Sequence, residues 1–284
     1  MSATPTSETV ALVGYVSAGS CALFVWDILG SLREDFIVAF QLNFRPSLIP
    51  YFISRSLMLL YAVGFAVYST RSFGDCSRTL LILQIIYALA TWARSTNFLL
   101  RVRAVYALSR LITFLFFAPL LVVVAASITA AFGIHGAPST LASGDPACVV
   151  SRIAPFVGST WVIQLAYDTA VFIAISFRLS ENTKTASAPR GWERVRIIVS
   201  GTGPTLYTFS RNIMRDGWWY YLMSLLANTT LLVAFYNARL DPALKAALMS
   251  PAAVVQCIWA GRVYRNAKVR HQMQSEVLSW STPD

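Results

Sequence analysis

Seven stretches of roughly 20 predominantly apolar residues recur along this chain, and few folds accommodate that pattern. At 1.5 Å of rise per residue, each stretch crosses the ~30 Å hydrocarbon core of a bilayer as one helix. The blocks are residues 10–32, 47–70, 79–100, 111–132, 155–178, 216–237 and 241–263. Hydrophobic residues make up 56% of the chain and charged residues only 13%, far from the balance of a soluble domain. The expected fold is therefore all-α: a polytopic integral membrane protein, a seven-transmembrane-helix bundle. It divides into a short outer tail (1–9), one transmembrane domain (10–263) and a short basic-polar cytosolic tail (264–284).

Orientation follows from the positive residues of the connections, which are retained on the cytosolic side. Of 23 Lys and Arg, sixteen lie on the side of the connections after the first, third and fifth spans and of the C-terminal tail. Five lie on the other side, and Arg55 and Arg94 fall within spans. The N-terminus is thus expected outside and the C-terminus in the cytosol, in the plasma membrane or an endomembrane. Residues 1–9 lack the basic start of a secretory leader, so the first span is expected to act as its own insertion signal. The net charge of +10 is mostly this topology signal, and nothing points to nucleic acid.

Several local features refine the picture. The longest inner connection, 179–213, carries a basic stretch at 190–199 that reads either as a solvated loop or as a segment lying on the anionic inner leaflet. Trp218, Trp219, Tyr220 and Tyr221 open the sixth span and read as an interfacial aromatic belt. Only residues 238–240 separate the last two spans, and Pro242 restarts the helix, as in a tight outer hairpin. Pro119 and Pro251 lie inside spans, where a kink is tolerated.

Ionisable side chains within spans are costly enough that each needs a partner or a water-filled cavity. Asp27, Arg55, Arg94 and Asp168 are the clear cases. Counted from the inner helix ends, all four fall roughly 7–15 Å above the cytosolic boundary. Two acids and two bases at one depth form a charge-balanced cluster if their helices face a common interior. Gln84, Tyr87, Thr91, Arg94 and Arg101 put one polar stripe on the third span, and Asn97, Gln164 and Asn228 add amides that bridge helices. Asp27, Arg55, Arg94, Asp168 and Asn228 thus read either as a ligand or proton-handling site or as an interhelical lock.

Cys76 and Cys148 both fall in outer connections, where either a disulfide or two free thiols is open. A bridge would tie the outer loop 134–154, with Gly136, Pro138, Gly144 and Pro146, to the top of the third helix. Cys21 and Cys257 lie within spans as small packing residues. His135 and His271 fall on opposite sides, so no metal site is expected, and no cofactor is indicated. The last span lacks the central lysine of a retinal protein; Lys245 is near its outer end. Aspartate pairs for diphosphate chemistry, a Gly-rich phosphate loop and a His-Glu-x-x-His motif do not occur. The sequon at Asn228 lies inside a span and reads as chance.

Several phrases resemble a known family. They are Trp26-Asp27-Ile28-Leu29-Gly30-Ser31-Leu32-Arg33-Glu34-Asp35, Ser54-Arg55, Leu99-Leu100-Arg101-Val102-Arg103-Ala104-Val105-Tyr106, Tyr167-Asp168-Thr169, and Arg215-Asp216-Gly217 followed by Asn228. Together they resemble a large group of seven-helix membrane proteins from basidiomycete fungi that carry an N-terminal fungal domain of unknown function. The resemblance covers most of the chain apart from the termini and implies topology, with no substrate, cofactor or catalytic residue. An acidic or small residue is usual in that family near Arg94, where this chain departs.

The leading functional expectation is a receptor-like or sensory membrane protein. It rests on the outside N-terminus, the Cys76 and Cys148 pair and the basic third inner loop. The Asp-Arg-Tyr and Asn-Pro-x-x-Tyr signatures of common heptahelical receptors are missing. The alternative is a membrane-embedded biosynthetic enzyme, of isomerase or cyclase type, using Asp27 or Asp168 as a buried general acid on an apolar substrate. A transporter ranks third, because the halves show no inverted repeat. The expected partners are the lipid bilayer and an apolar small molecule; the sequence sets no oligomeric state.

Overall fold

A computed structural model describes residues 7–41, 48–71, 73–106, 109–140, 146–181, 208–237 and 240–280. Seven long helices dominate it: α1 (Ser7–Phe36), α2 (Leu48–Thr70), α3 (Cys76–Val105), α4 (Arg110–Phe132), α5 (Val157–Glu181), α6 (Thr208–Tyr236) and α7 (Pro242–Trp280). A short π-helical segment, Ile37–Gln41, continues α1. Each helix satisfies its own backbone, the condition hydrocarbon imposes on any spanning segment.

Consecutive helices are neighbours around the bundle, and α7 closes the ring against α1. Contacts of α2 with α7 and of α3 with α5 fill the interior. Tyr51, Met58, Tyr61, Phe65 and Tyr68, all on α2, are almost fully buried. The outward surface is the reverse of a soluble protein's. Tyr15, Trp26, Phe40, Leu111 and Phe114 are all more than 70% exposed, while Ser17, Ser95, Ser224 and Ser250 are fully buried. Apolar side chains facing outward and polar ones facing inward match a lipid surrounding.

Six of the helices are long and apolar enough to cross a membrane: α1 to α5 and α7. In α6 the aromatic opening at Trp218–Tyr221 and the polar Asn228-Thr229-Thr230 run dilute the apolar character. Both internal prolines are accommodated: α4 runs through Pro119 and α7 through Pro251.

Several boundaries differ from the reading by apolarity, and three show why. Helix α3 starts at Cys76, three residues early, because Asp75 caps it; the Arg78 backbone N–H donates to Asp75 Oδ1 at 3.0 Å. Helix α1 runs to Phe36, past residue 32, and α7 runs to Trp280 through what reads as a polar tail. Apolarity marks only the stretch a helix spends in hydrocarbon, and nothing in either sequence stops the helix there.

The connection 134–154 reads as a loop, yet it forms an antiparallel hairpin of β1 (Ile134–Thr140) and β2 (Pro146–Ile153). Ile134 faces Ile153 and Pro138 faces Cys148. Gly136, Pro138 and Pro146 read as breakers, but both strands are edges, where proline is tolerated. Ala147, Cys148, Val149 and Val150 are all buried, so both faces of this strand are covered. Ala147 and Val149 pack on Val10 of α1, and Tyr68 at the end of α2 donates to the Val149 carbonyl at 3.3 Å. Cys148 is disulfide-bonded to Cys76, with Cα atoms 5.6 Å apart. The hairpin thus closes one end of the bundle, and the far ends of α1 and α7 define the other.

Candidate functional site

The five polar residues of the expected cluster do not share one set of contacts. Asp27 and Arg55 belong to an ionic network at the end opposite the hairpin, whereas Arg94, Asp168 and Asn228 belong to a separate group between α3, α5, α6 and α7.

In the network, Arg55 Nη2 meets Asp27 Oδ2 at 3.3 Å, and Arg55 Nη1 lies 3.6 Å from Asp35 Oδ2. From α7, Arg262 Nε lies 3.6 Å from Asp27 Oδ1, and Arg265 Nε donates to Glu34 Oε2 at 2.9 Å. Tyr51 is the hub. Its hydroxyl donates to Asp35 Oδ1 at 2.6 Å and accepts from Arg55 at 3.0 Å and Arg265 at 3.1 Å. Its ring stacks on Tyr264, with centroids 4.5 Å apart. Ser31 accepts from Arg55 Nη2 at 3.0 Å. Three acids on α1 thus face Arg55 on α2 and Arg262 and Arg265 on α7. Buried charges are tolerated when paired and hydrogen-bonded in this way.

Reading the spans as ending at residues 32 and 263 hid Glu34, Asp35 and Arg265, which the continued helices bring into the network. The spacing Ser31-x-x-Glu34-Asp35 after Asp27 is nonetheless one helical face, a signal available without the structure.

In the second group, Asp168 accepts three hydrogen bonds. Gln164 donates to Oδ1 at 2.9 Å; Ser224, at 2.8 Å, and Tyr220, at 3.3 Å, donate to Oδ2. Asn228 donates to the Ser224 carbonyl at 2.9 Å. Tyr220 is therefore part of this group and not of an interfacial belt; it is buried and packs on Phe98, with centroids 4.6 Å apart. Each residue turns 100° around a helix, so four consecutive aromatics cannot all face outward. The run Tyr220, Ser224, Asn228 at steps of four, with Gln164 and Asp168 at the same step on α5, is the sequence signal for this face.

Arg94 comes from the polar stripe of α3, whose Gln84, Thr91 and Arg94 are all buried. Its Nη1 donates to Gln256 Oε1 of α7 at 2.6 Å, and Asp168 is within electrostatic reach. Its Nε and Nη2, however, have no hydrogen-bond partner in the protein. Thr91 Oγ1, Ser95 Oγ, Asn97 Oδ1, Gln164 Oε1 and Ser250 Oγ share that condition. Buried polar atoms are nearly always satisfied, so the two orphan nitrogens of Arg94 mark a place with spare hydrogen-bonding capacity.

A small cavity joins the two groups. Arg55 and Tyr51 line it from the network, Arg94 and Asn97 from α3, and it has room for about one water. The basic stretch 190–199 lies outside the described residues. Compared with family models and with curated proteins, the sequence matches none.

Proposed function

We propose that this is a receptor-like, seven-span membrane protein with its N-terminus outside, in which the group around Arg94 and Asp168 senses and the network around Tyr51 holds the resting packing. The observation that carries the reading is the contrast in hydrogen bonding. The orphan N–H groups of Arg94 give a ligand somewhere to bind, and the cavity joins them to the network linking α1, α2 and α7. A ligand acts on such a device only if it binds one packing arrangement better than another.

Other features support the topology. Helix α6 is long enough to complete a seventh crossing. The disulfide-tied hairpin suits an oxidising outer face, while Arg33, Arg262 and Arg265 sit at the opposite end. The phrases around Asp27, Arg55 and Asp168 support membership of the basidiomycete seven-helix family.

Both candidate acids of the enzyme reading are already engaged by neighbouring side chains: Asp168 accepts from Gln164, Ser224 and Tyr220, and Asp27 faces the guanidinium groups of Arg55 and Arg262.

Mass spectrometry of small molecules, on the purified protein and on cells lacking the gene, tests the choice. Sensing predicts a co-purifying molecule whose level and precursors are unchanged in the deletion strain. Accumulation of a precursor there would replace sensing with chemistry.

A further inference from the structure

We propose that the notch between α1 and α7, at the end of the bundle opposite the hairpin, binds the headgroup of an ethanolamine phospholipid. Arg262 takes its phosphate and Glu34 its ammonium. Helix α7 starts at Pro242, and at 1.5 Å per residue it carries Arg262 roughly 30 Å along its axis, the thickness of the hydrocarbon core. Its guanidinium therefore stands at headgroup depth. The Arg262 side chain is 52% exposed, with Nε 3.6 Å from Asp27 Oδ1 and the guanidinium carbon 5.3 Å from the centre of the Trp259 ring. Among the described residues nothing engages its two Nη groups. A lipid phosphate is the acceptor at hand there, and it matches the fork of a guanidinium.

Glu34 supplies the opposite charge. Its side chain is 54% exposed; Oε2 accepts from Arg265 Nε at 2.9 Å, and Oε1 is open among the described residues. Arg265 follows Arg262 by three residues, which sets Glu34 about 4.5 Å beyond Arg262 along α7. Asp27, Gly30 and Glu34 share one face of α1, and nothing lies within 4 Å of where a Gly30 Cβ would stand. A cation, an opening and an anion thus follow one another along the helices. An ethanolamine headgroup carries its phosphate and its ammonium in that order, two carbons apart. Trp219, 43% exposed and stacked on Trp259, gives the acyl chains an apolar wall. The same two charges discriminate. A primary ammonium donates three hydrogen bonds, as lysine does, whereas a choline ammonium has none to give Glu34. A glycerol headgroup has no cation, and serine adds a carboxylate beside Glu34. The site does not depend on whether the chain signals.

The test is thermal unfolding of the full-length protein in detergent micelles containing phosphatidylethanolamine, phosphatidylcholine or phosphatidylglycerol of the same acyl chains. Binding to the folded state alone raises the midpoint, and the ethanolamine lipid is expected to add about 3 °C or more over either of the others. Gly30→Leu fills the notch, leaves every ion pair in place and replaces a poor helix former by a good one. It is expected to remove the ethanolamine response while leaving the midpoint without added lipid at or above that of the unmodified protein. Glu34→Gln is expected to make the ethanolamine and choline lipids equal. Arg262→Gln is expected to lose the response too, and Gly30→Leu keeps the test decisive if Arg262→Gln fails to fold. Equal midpoints in the ethanolamine and choline lipids, a larger shift in the glycerol lipid, or an ethanolamine response that survives Gly30→Leu, as a bulk effect on the micelle would, each overturns the proposal.

Discussion

The Tyr51 network and the Arg94 group are both buried assemblies of charge and hydrogen bonds, yet they are built on opposite terms. In the network each carboxylate faces a guanidinium, and one tyrosine hydroxyl serves an acid and two arginines. In the second region two side-chain nitrogens of Arg94 have no partner in the protein, nor have single atoms of Thr91 and Asn97 on the same helix and of Gln164 on α5. The first arrangement is what a lock needs, because a paired charge in a low-dielectric interior resists separation. The second is poor as a lock, since unsatisfied buried groups cost stability, and is what a binding site retains. Two clusters of similar composition, less than a helix length apart, therefore have different work.

The sharpest way to break this contrast is to remove one partner from the network. Arg55→Leu leaves Asp27 and Asp35 without their shared cation and is expected to cost about 3–5 kcal/mol. Unfolding by SDS in mixed micelles reads it. Removing both charges, Arg55→Gln with Asp27→Asn, is expected to cost less than Arg55→Leu alone, because no uncompensated charge stays buried. Equal costs would mean that the ion pair is not what holds α1 to α2.

The hairpin end is the next largest effect and does not involve either cluster. Replacing Cys76 and Cys148 together by serine, or reducing them, opens a loop of sequence separation 72. The expected loss is about 2–4 kcal/mol, toward the lower end if the bilayer already confines the unfolded chain. A smaller effect is expected from Gly136→Ala. Its added methyl would meet the Tyr68 hydroxyl and come within 2.9 Å of the Cys76 carbonyl oxygen. Overpacking of that kind costs about 1–3 kcal/mol, read as a lower unfolding midpoint and faster reduction of the disulfide. An unchanged rate would show that the hairpin yields without loosening Cys148.

How far these regions are legible in the sequence follows the same division. The membrane character and the helices come from apolar blocks, which any window of about 20 residues finds. The costly charges Asp27, Arg55, Arg94 and Asp168 stand out because hydrocarbon makes each one an exception. Their partners do not stand out. Glu34, Asp35 and Arg265 lie beyond the apolar blocks, and Tyr51 and Tyr220 look like ordinary aromatics until the helices are placed side by side. The hairpin is hidden for a different reason: Gly136, Pro138 and Pro146 signal turns locally, and what orders the strands is packing on α1, α2 and α3 together with the disulfide. Pairing between distant segments has no local signal.

The smallest expected effect is the most specific to the contrast. Thr91 is buried on α3 beside Arg94 in sequence register, and its hydroxyl has no partner. Thr91→Val replaces that hydroxyl with a methyl of nearly equal size and removes a desolvation cost. The variant is then neutral or more stable by up to about 1 kcal/mol. In the network the corresponding change, Ser31→Ala, removes an acceptor of Arg55 and is destabilising by about 1–2 kcal/mol. Opposite signs for two small hydroxyl deletions, measured in the same SDS titration, would sharpen the distinction. A Thr91→Val loss as large as that of Ser31→Ala would mean that bound water already satisfies the interior around Arg94, and that the two regions are locks of the same kind.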